Sequence, residues 1–371
     1  MASDAERSAS RRAEPVPARQ AEQDAVRRAV LLSAKALGTT HPNPPVGCVV
    51  LDRDGTVVGE GWTRPPGGPH AEVVALQQAG ERARGGTAVV TLEPCRHTGR
   101  TGPCTDALLA SGVARVVVAC ADPTAKAGGG AQVLLDAGVD VETGLLADEV
   151  ALGPLEAWLG AQHLGRPYVT WKYAATLDGR SAAADGTSRW ITSEAARADV
   201  HRLRAECDVV MAGVGTVLQD DPLLDARPDL DPPAGHQPQR VVVDSTGRTP
   251  LTARALQGSA PALVVTTTPV AEYARNLVVQ ADDRGRVDLH QLLSRLDATS
   301  VLLEGGPTLA GAFVAAGLVD RIVGYVAPAL LGDGRHALGA AGAGTITAAH
   351  RFRLDDVTRV GDDVRLTLRS V

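Results

Sequence analysis

His70-Ala71-Glu72 on one segment, with Pro94-Cys95 and Pro103-Cys104 on another, supply an imidazole, two thiols and a carboxyl that can bind a metal and move a proton. One histidine nitrogen and two thiolates make three protein ligands. They leave the fourth tetrahedral position of a zinc ion open to water, as catalytic zinc sites do and closed structural sites do not. Zinc lowers the pKa of such a water toward neutrality and makes hydroxide available as a nucleophile. Glu72, two residues after the histidine and inside the first turn of an expected helix, can shuttle the proton without binding the metal. Both ligand segments open helices, whose N-termini favour thiolate over thiol. The structural alternative is a closed zinc knuckle with His97 as fourth ligand. Cys48, Cys120 and Cys207 lie in or beside apolar strands and read as core.

Alternating strands and helices must position these groups. A helix is expected from Ala21 to Leu37, then a turn at His41-Pro42-Asn43-Pro44-Pro45 and a strand over 46–51 that turns at Asp54-Gly55. Helices over 70–79, 103–111 and 130–137 alternate with strands over 88–92 and 113–119. A second series begins near Arg166: strands at 168–173, 208–213, 240–244, 262–267, 300–304 and 321–327, with helices at 193–206 and 308–316. Such alternation implies α/β layers. Residues 225–238 read as a Pro/Asp-rich loop, and the two halves share no repeat.

The 371 residues exceed one usual core, so two domains are expected, divided between about 150 and 166: residues 21–160 and 166–371, after a disordered extension over 1–20. Aromatics are only 3%, so the cores must be built from Val, Leu, Ile and Ala. A net charge of -6 argues against a nucleic-acid partner, and no apolar window is long enough for a membrane span. Five unevenly spaced cysteines make no disulfide scaffold, which points to a cytoplasmic protein.

The His-x-Glu and Pro-Cys pattern follows the logic of zinc nucleobase deaminases, except that eight residues separate the cysteines instead of two. Thr40-His41-Pro42-Asn43-Pro44, Val46-Gly47-Cys48-Val49, His70-Ala71-Glu72-Val73 and Thr91-Leu92-Glu93-Pro94-Cys95-Arg96-His97-Thr98-Gly99-Arg100-Thr101-Gly102-Pro103-Cys104 resemble the bacterial bifunctional riboflavin-biosynthesis deaminase/reductases. The long cysteine interval is that family's own spacing. The resemblance implies that His70, Cys95 and Cys104 hold Zn2+, that Glu72 is the proton shuttle and that Asn43 contacts the pyrimidine. Pro45 and the Thr124–Gly129 stretch depart from the family's usual pattern.

In the second half, Leu303-Glu304-Gly305-Gly306-Pro307-Thr308-Leu309 runs from a strand through a glycine turn into a helix, where backbone N–H groups can approach a pyrophosphate. No G-x-G-x-x-G follows a strand. Lys172–Arg180, Ser188–Ser193 and Gly215–Pro222 appear in the order of the same family's reductase domain, which is dihydrofolate-reductase-like and uses NADPH. The resemblance implies that Ala174, Trp190, Thr216, Asp220, Ser245 and the turn Gly306, Pro307, Thr308, Leu309, Ala310, Gly311 and Ala312 line NADPH. Ser188, Arg204, Leu224, Arg227 and Glu304 would line the substrate. The two arginines can grip a phosphate through bidentate forks. Trp190 otherwise reads as core packing, Asp220 and Asp221 as turn caps, and Asp220 would protonate the product of hydride transfer.

The expected fold is therefore α/β: a cytidine-deaminase-like three-layer αβα domain followed by a dihydrofolate-reductase-like α/β domain. The expected function is deamination of the phosphoribosylated pyrimidine 2,5-diamino-6-(5-phosphoribosylamino)pyrimidin-4(3H)-one, then NADPH-dependent reduction of its ribosyl side chain to ribityl. Self-association into a homo-oligomer is left open. The rival readings are a zinc deaminase acting on tRNA or a nucleotide, and a non-enzymatic zinc-stabilised regulatory module.

Overall fold

The computed structural model describes residues 16–98, 102–227, 236–258 and 260–371. The chain divides into two compact units. One comprises residues up to Ala36 together with Pro45–Glu156; the other comprises Leu37–Pro44 together with Ala157–Val371. The turn that carries His41 and Asn43 thus belongs with the second unit, whereas a split at 160–166 assigns it to the first. Within the second unit His41 is anchored by its ring nitrogens to the Thr299 hydroxyl at 2.9 Å and the Asp297 carboxylate at 3.0 Å.

The first unit contains α1 (Val16–Ser33), β1 (Gly47–Leu51), β2 (Val57–Trp62), α2 (Ala71–Ala79), β3 (Thr87–Leu92), α3 (Cys104–Ser111), β4 (Arg115–Cys120), α4 (Gly130–Asp136), β5 (Asp140–Thr143) and α5 (Ala147–Ala151). Its sheet runs β2-β1-β3-β4-β5, antiparallel around β1 and parallel from β3 to β5. Two glycines show why helices cover both faces. A Cβ on Gly47 would meet the Ala29 carbonyl of α1 at 1.9 Å, and one on Gly61 would meet the Ala71 carbonyl of α2 at 2.1 Å. Gly61 pairs with Cys48, the neighbour of Gly47 along β1, so the two glycines point to opposite faces. The result is the expected α/β/α sandwich.

Helix α1 begins before the sequence suggests. Residues 16–20 are helical where a disordered extension is expected, because Arg19 reaches Glu142 on β5 with both carboxylate oxygens in range, at 2.5 and 2.6 Å. Residues 1–15 of that expected extension lie outside the described residues.

After α6 (Glu156–Leu164), the second unit contains β6 (Tyr168–Thr176), β7 (Arg180–Ala182), α7 (Glu194–Ala205), β8 (Val209–Gly213), α8 (Val214–Asp220), β9 (Gln239–Val243), β10 (Ala262–Thr266), β11 (Asn276–Val278), α9 (Leu289–Arg295), β12 (Ser300–Leu303), α10 (Pro307–Ala315), β13 (Arg321–Ala327), β14 (Arg335–His336), β15 (Phe352–Val360) and β16 (Asp363–Ser370). Nine strands form one sheet in the order β11-β10-β9-β8-β12-β6-β13-β16-β15, parallel from β11 to β13 and antiparallel in the last two pairings.

The central strands are buried on both faces, which is why they read as unbroken apolar runs. Val209, Met211, Val241, Val301 and Leu303 join one core with Phe313 and Val314 of α10. Val210, Ala212, Val242 and Leu302 join a second core on the opposite face. Among the described residues, no helix is long and apolar enough to cross a membrane.

Candidate active sites

His70 is the N-cap of α2, in extended conformation, and Glu72 falls in that helix's first turn with its side chain buried. Cys104 is the first residue of α3, behind Pro103. Cys95 follows the end of β3. The Cys95 approach is held by the loop beyond β4: Glu93 accepts from the backbone N–H groups of Asp122 at 3.2 Å, Gly129 at 3.1 Å and Ala131 at 2.9 Å. Arg96 Nε donates to the Gly128 carbonyl at 2.5 Å. Only glycine fits at 130, since a Cβ there would lie 1.8 Å from the Pro94 carbonyl oxygen.

These elements bring the ligand atoms of His70, Cys95 and Cys104 within 4.8 Å of one another. His70 Nδ1 lies 3.2 Å from Cys104 Sγ and 3.6 Å from Cys95 Sγ, and the Cys104 backbone N–H donates to Cys95 Sγ at 3.5 Å. Hydrogen bonds from Cys104 and His70 hold the Cys95 thiol down to about 4 against the effect of burial. The bond to Cys95 and burial push Cys104 up, so the two sulfurs share one proton. Burial also raises Glu72. One imidazole, one thiolate and one further thiol converging at this range form a donor set that fits a tetrahedral divalent cation with one position free.

His97 is not part of that cluster; its Nδ1 is buried without a partner, so the closed four-ligand knuckle is not formed. Gly99, Arg100 and Thr101 of the cysteine loop lie outside the described residues. Asn43 is half-buried in the turn of the second unit, its N–H donating to the Thr40 carbonyl at 2.7 Å. Cys48, Cys120 and Cys207 are buried and free, as core residues should be.

In the second unit a cavity of about 1050 Å³ opens at the N-terminus of α10. It is lined by Thr216, Ser245, Gly306, Pro307, Thr308, Leu309 and Ala312 of the expected cofactor set. The small residues have a packing reason: a Cβ on Gly306 would meet Thr216 Oγ1 at 3.2 Å. The volume and the exposed helix N-terminus fit a dinucleotide with its pyrophosphate at Gly306–Thr308.

Five expected cofactor residues do not line this cavity. Ala310 and Gly311 lie on the inner face of α10, where Ala310 is in the core and a Cβ on Gly311 would meet the Ala340 carbonyl at 2.5 Å. Ala174 packs against Val323 and Tyr325. Trp190 is 64% exposed, with the Arg197 guanidinium 4.4 Å above its ring, and so is not core either. Asp220 accepts from the Ser188 hydroxyl at 3.4 Å and its carbonyl accepts from Arg189 at 2.5 Å, while Asp221 forms the α8 C-cap.

The expected substrate arginines differ from each other. Arg204 does not present a free fork: its Nε and Nη2 are bound to Glu304 Oε1 at 2.5 Å and Oε2 at 2.9 Å, and its Nη1 donates to the Asp225 carbonyl. A phosphate grip by Arg204 would have to break that pair. Arg227 is exposed. Leu224 has its side chain in the core and a φ of 55°. Burial would raise Glu304, but Arg204 outweighs it and, with Lys172 3.9 Å away, holds the carboxyl down to about 2.

Sequence reasoning missed Glu93 as a loop anchor, and Lys172, Arg248, Arg284 and Arg286 as site residues. Lys172 alone carried a signal, a cation inside an apolar strand.

Residues 167–366 match the RibD C-terminal domain family, and residues 19–120 match the zinc-binding region of cytidine and deoxycytidylate deaminases. A riboflavin biosynthesis protein RibD from Mycobacterium tuberculosis is 49% identical over 93% of this chain and 96% of its own length. The chain belongs to the RibD family. A solved RibD from Acinetobacter baumannii superposes with TM-score 0.86 at 41% identity, covering 95% of this chain and 99% of that one. A deaminase/reductase of this family from Thermotoga maritima superposes with TM-score 0.86 at 33% identity, with the same coverage. The RibD chains therefore share both units of this fold in one order.

Proposed function

We propose that His70, Cys95 and Cys104 hold the zinc of a deaminase unit in which Glu72 moves the proton, and that the α10 cavity holds the NADPH of a reductase unit. The chain is a bifunctional enzyme of riboflavin biosynthesis, hydrolase and oxidoreductase in one. The observation that carries the deaminase assignment is the convergence of three ligand atoms within 4.8 Å beside one buried carboxyl.

Zinc held by His70, Cys95 and Cys104 would supply a Lewis acid that brings the pKa of a water toward neutrality. Glu72, buried beside the ligands and raised by burial, accepts a proton from the attacking water and delivers it to the amino nitrogen that departs as ammonia. NADPH held in the α10 cavity would supply a hydride to the ribosyl C1′, while the ring oxygen takes a proton as the C1′–O bond opens to give the ribityl chain. Arg227 is the arginine available for the substrate phosphate, while Arg204 orients Glu304 along the same substrate edge. Asp220 holds the Ser188 hydroxyl in this arrangement.

Five free cysteines fit a reducing compartment, and we place the reactions in the cytoplasm. We also read the partner as a phosphoribosylated pyrimidine and not a nucleic acid, given the net charge of -6. Zinc removal tests the assignment. A chelator should stop ammonia release and leave reduction of the deaminated substrate intact; loss of both activities together would contradict separate sites.

A further inference from the structure

The cavity at α10 is lined by Arg248, Arg284, Arg286 and Arg335 against Asp282 and Asp288, and none of these arginines belongs to the Gly306–Thr308 turn where the pyrophosphate is placed. Arg284 and Arg286 stand on the turn between Ala281 and Val287, which are joined by an isolated antiparallel bridge. Asp282 fixes this turn: its Oδ1 accepts from the backbone N–H of Arg284 at 2.9 Å and of Arg286 at 2.8 Å, and its own N–H donates to the Arg286 carbonyl at 2.6 Å. Val287, the next residue, donates its N–H to Ser245 Oγ at 3.1 Å. That bond occupies the serine as an acceptor and leaves its O–H proton to donate into the cavity.

The carboxylates nearby, Asp282, exposed Asp283 and Asp288, lower the local positive charge but form no ion pair with either guanidinium group among the described residues. Asp282 is engaged by the turn, and Asp288 caps α9 by accepting from the Gln291 N–H at 3.0 Å. Arg248 differs, since its Nε leans toward buried Asp244 Oδ1 at 4.0 Å. Among the described residues no carboxylate pairs with the side chain of Arg284 or Arg286. Two exposed guanidinium groups and a serine O–H joined through one braced turn are donors for a dianionic phosphate monoester. NADPH carries such a group on its adenosine ribose, and NADH has a hydroxyl in its place.

We propose that Arg284 and Arg286, with the Ser245 hydroxyl, bind the 2′-phosphate of the dinucleotide and make the reductase unit select NADPH over NADH. The inference rests on the α10 cavity being the dinucleotide site.

Calorimetric titration of the full chain tests this without catalysis, using NADPH, NADH, 2′,5′-ADP and 5′-AMP. Arg284→Gln and Arg286→Gln should each weaken NADPH and 2′,5′-ADP by about tenfold, equivalent to about 1.4 kcal/mol, and leave NADH and 5′-AMP within about twofold. Unchanged affinity for 2′,5′-ADP overturns the proposal. So does an equal loss for both members of each pair, which assigns the arginines to the pyrophosphate or the adenine. Gly306→Val separates the underlying reading: its side chain crowds Thr216, and NADPH affinity unaffected by it would remove the cavity itself as the dinucleotide site.

Discussion

Arg204 and Glu304 meet in a two-point contact, Nε to Oε1 at 2.5 Å and Nη2 to Oε2 at 2.9 Å, joining the end of α7 to the end of β12. Lys172 on β6 approaches the same carboxylate at 3.9 Å. All three side chains are largely buried, at 14%, 9% and 16% exposure, so the pair sits where loss of one partner leaves a charge in a poor solvent.

Arg204→Leu should therefore destabilise the second unit by about 3–5 kcal/mol, because it strands Glu304 with Lys172 alone. Removing both partners, in Arg204→Leu with Glu304→Leu, should cost less than the sum of the single changes. Denaturant melts of the four proteins give the coupling; strict additivity would show that the pair contributes no interaction.

The same pair sets a pH dependence. Glu304 is held at about 2, below its ordinary 4.5, so the folded state binds its proton more weakly than the unfolded state. Its contribution, about 3 kcal/mol, is complete above the ordinary value and disappears as pH falls toward 2. The stability gap between wild type and Glu304→Gln should be constant from pH 7 to about 5.5 and narrow steadily below. A gap that widens on acidification would contradict the assignment of charge.

Glu72→Gln keeps the size of the side chain and removes its ability to accept a proton. Ammonia release should fall by about two to four orders of magnitude. Zinc content measured by atomic absorption should stay near that of wild type, and NADPH-dependent reduction of deaminated substrate should be unchanged. A variant that deaminates at the wild-type rate would remove Glu72 from the chemistry.

How much of this was legible differs between the two units. The convergence of His70, Cys95 and Cys104 was readable because each stands at the start of a helix or just after a strand, positions that sequence marks with Pro and apolar runs. The central parallel strands were equally plain, since burial on both faces leaves Val-rich runs such as Gln239–Val243. The hairpin of β15 and β16 is not among the expected strands: β15 carries Asp355-Asp356 and is mostly exposed, and the alternation of Val364, Leu366 and Leu368 with Arg365, Thr367 and Arg369 on β16 is a strand signal left unread. Helix α8 was hidden for a different reason: it begins at Val214 directly after β8 ends at Gly213, with no turn signal between them.

Side-chain commitments were the least legible. Nothing in the spacing of Arg204 and Glu304, 100 residues apart, announces that the guanidinium is already engaged. Arg284 and Arg286 lie in a stretch to which the sequence reading assigns nothing, and only the folded turn, braced by Asp282 and by Ser245 through Val287, sets them at a cavity. Ala310 and Gly311 follow from a contiguous motif, yet a helix turns successive residues to different faces, and these two face the core.

The most direct measurement is a product analysis with the full chain and the diaminopyrimidine phosphate as sole substrate, run with and without NADPH. Without NADPH, one equivalent of ammonia and the aminouracil carrying an intact ribosyl phosphate should accumulate. With NADPH, the ribityl product should appear with one NADPH consumed per molecule. Reduction that precedes ammonia release, or NADPH that goes unconsumed while the deaminated compound accumulates, would contradict two sites acting in sequence on one substrate.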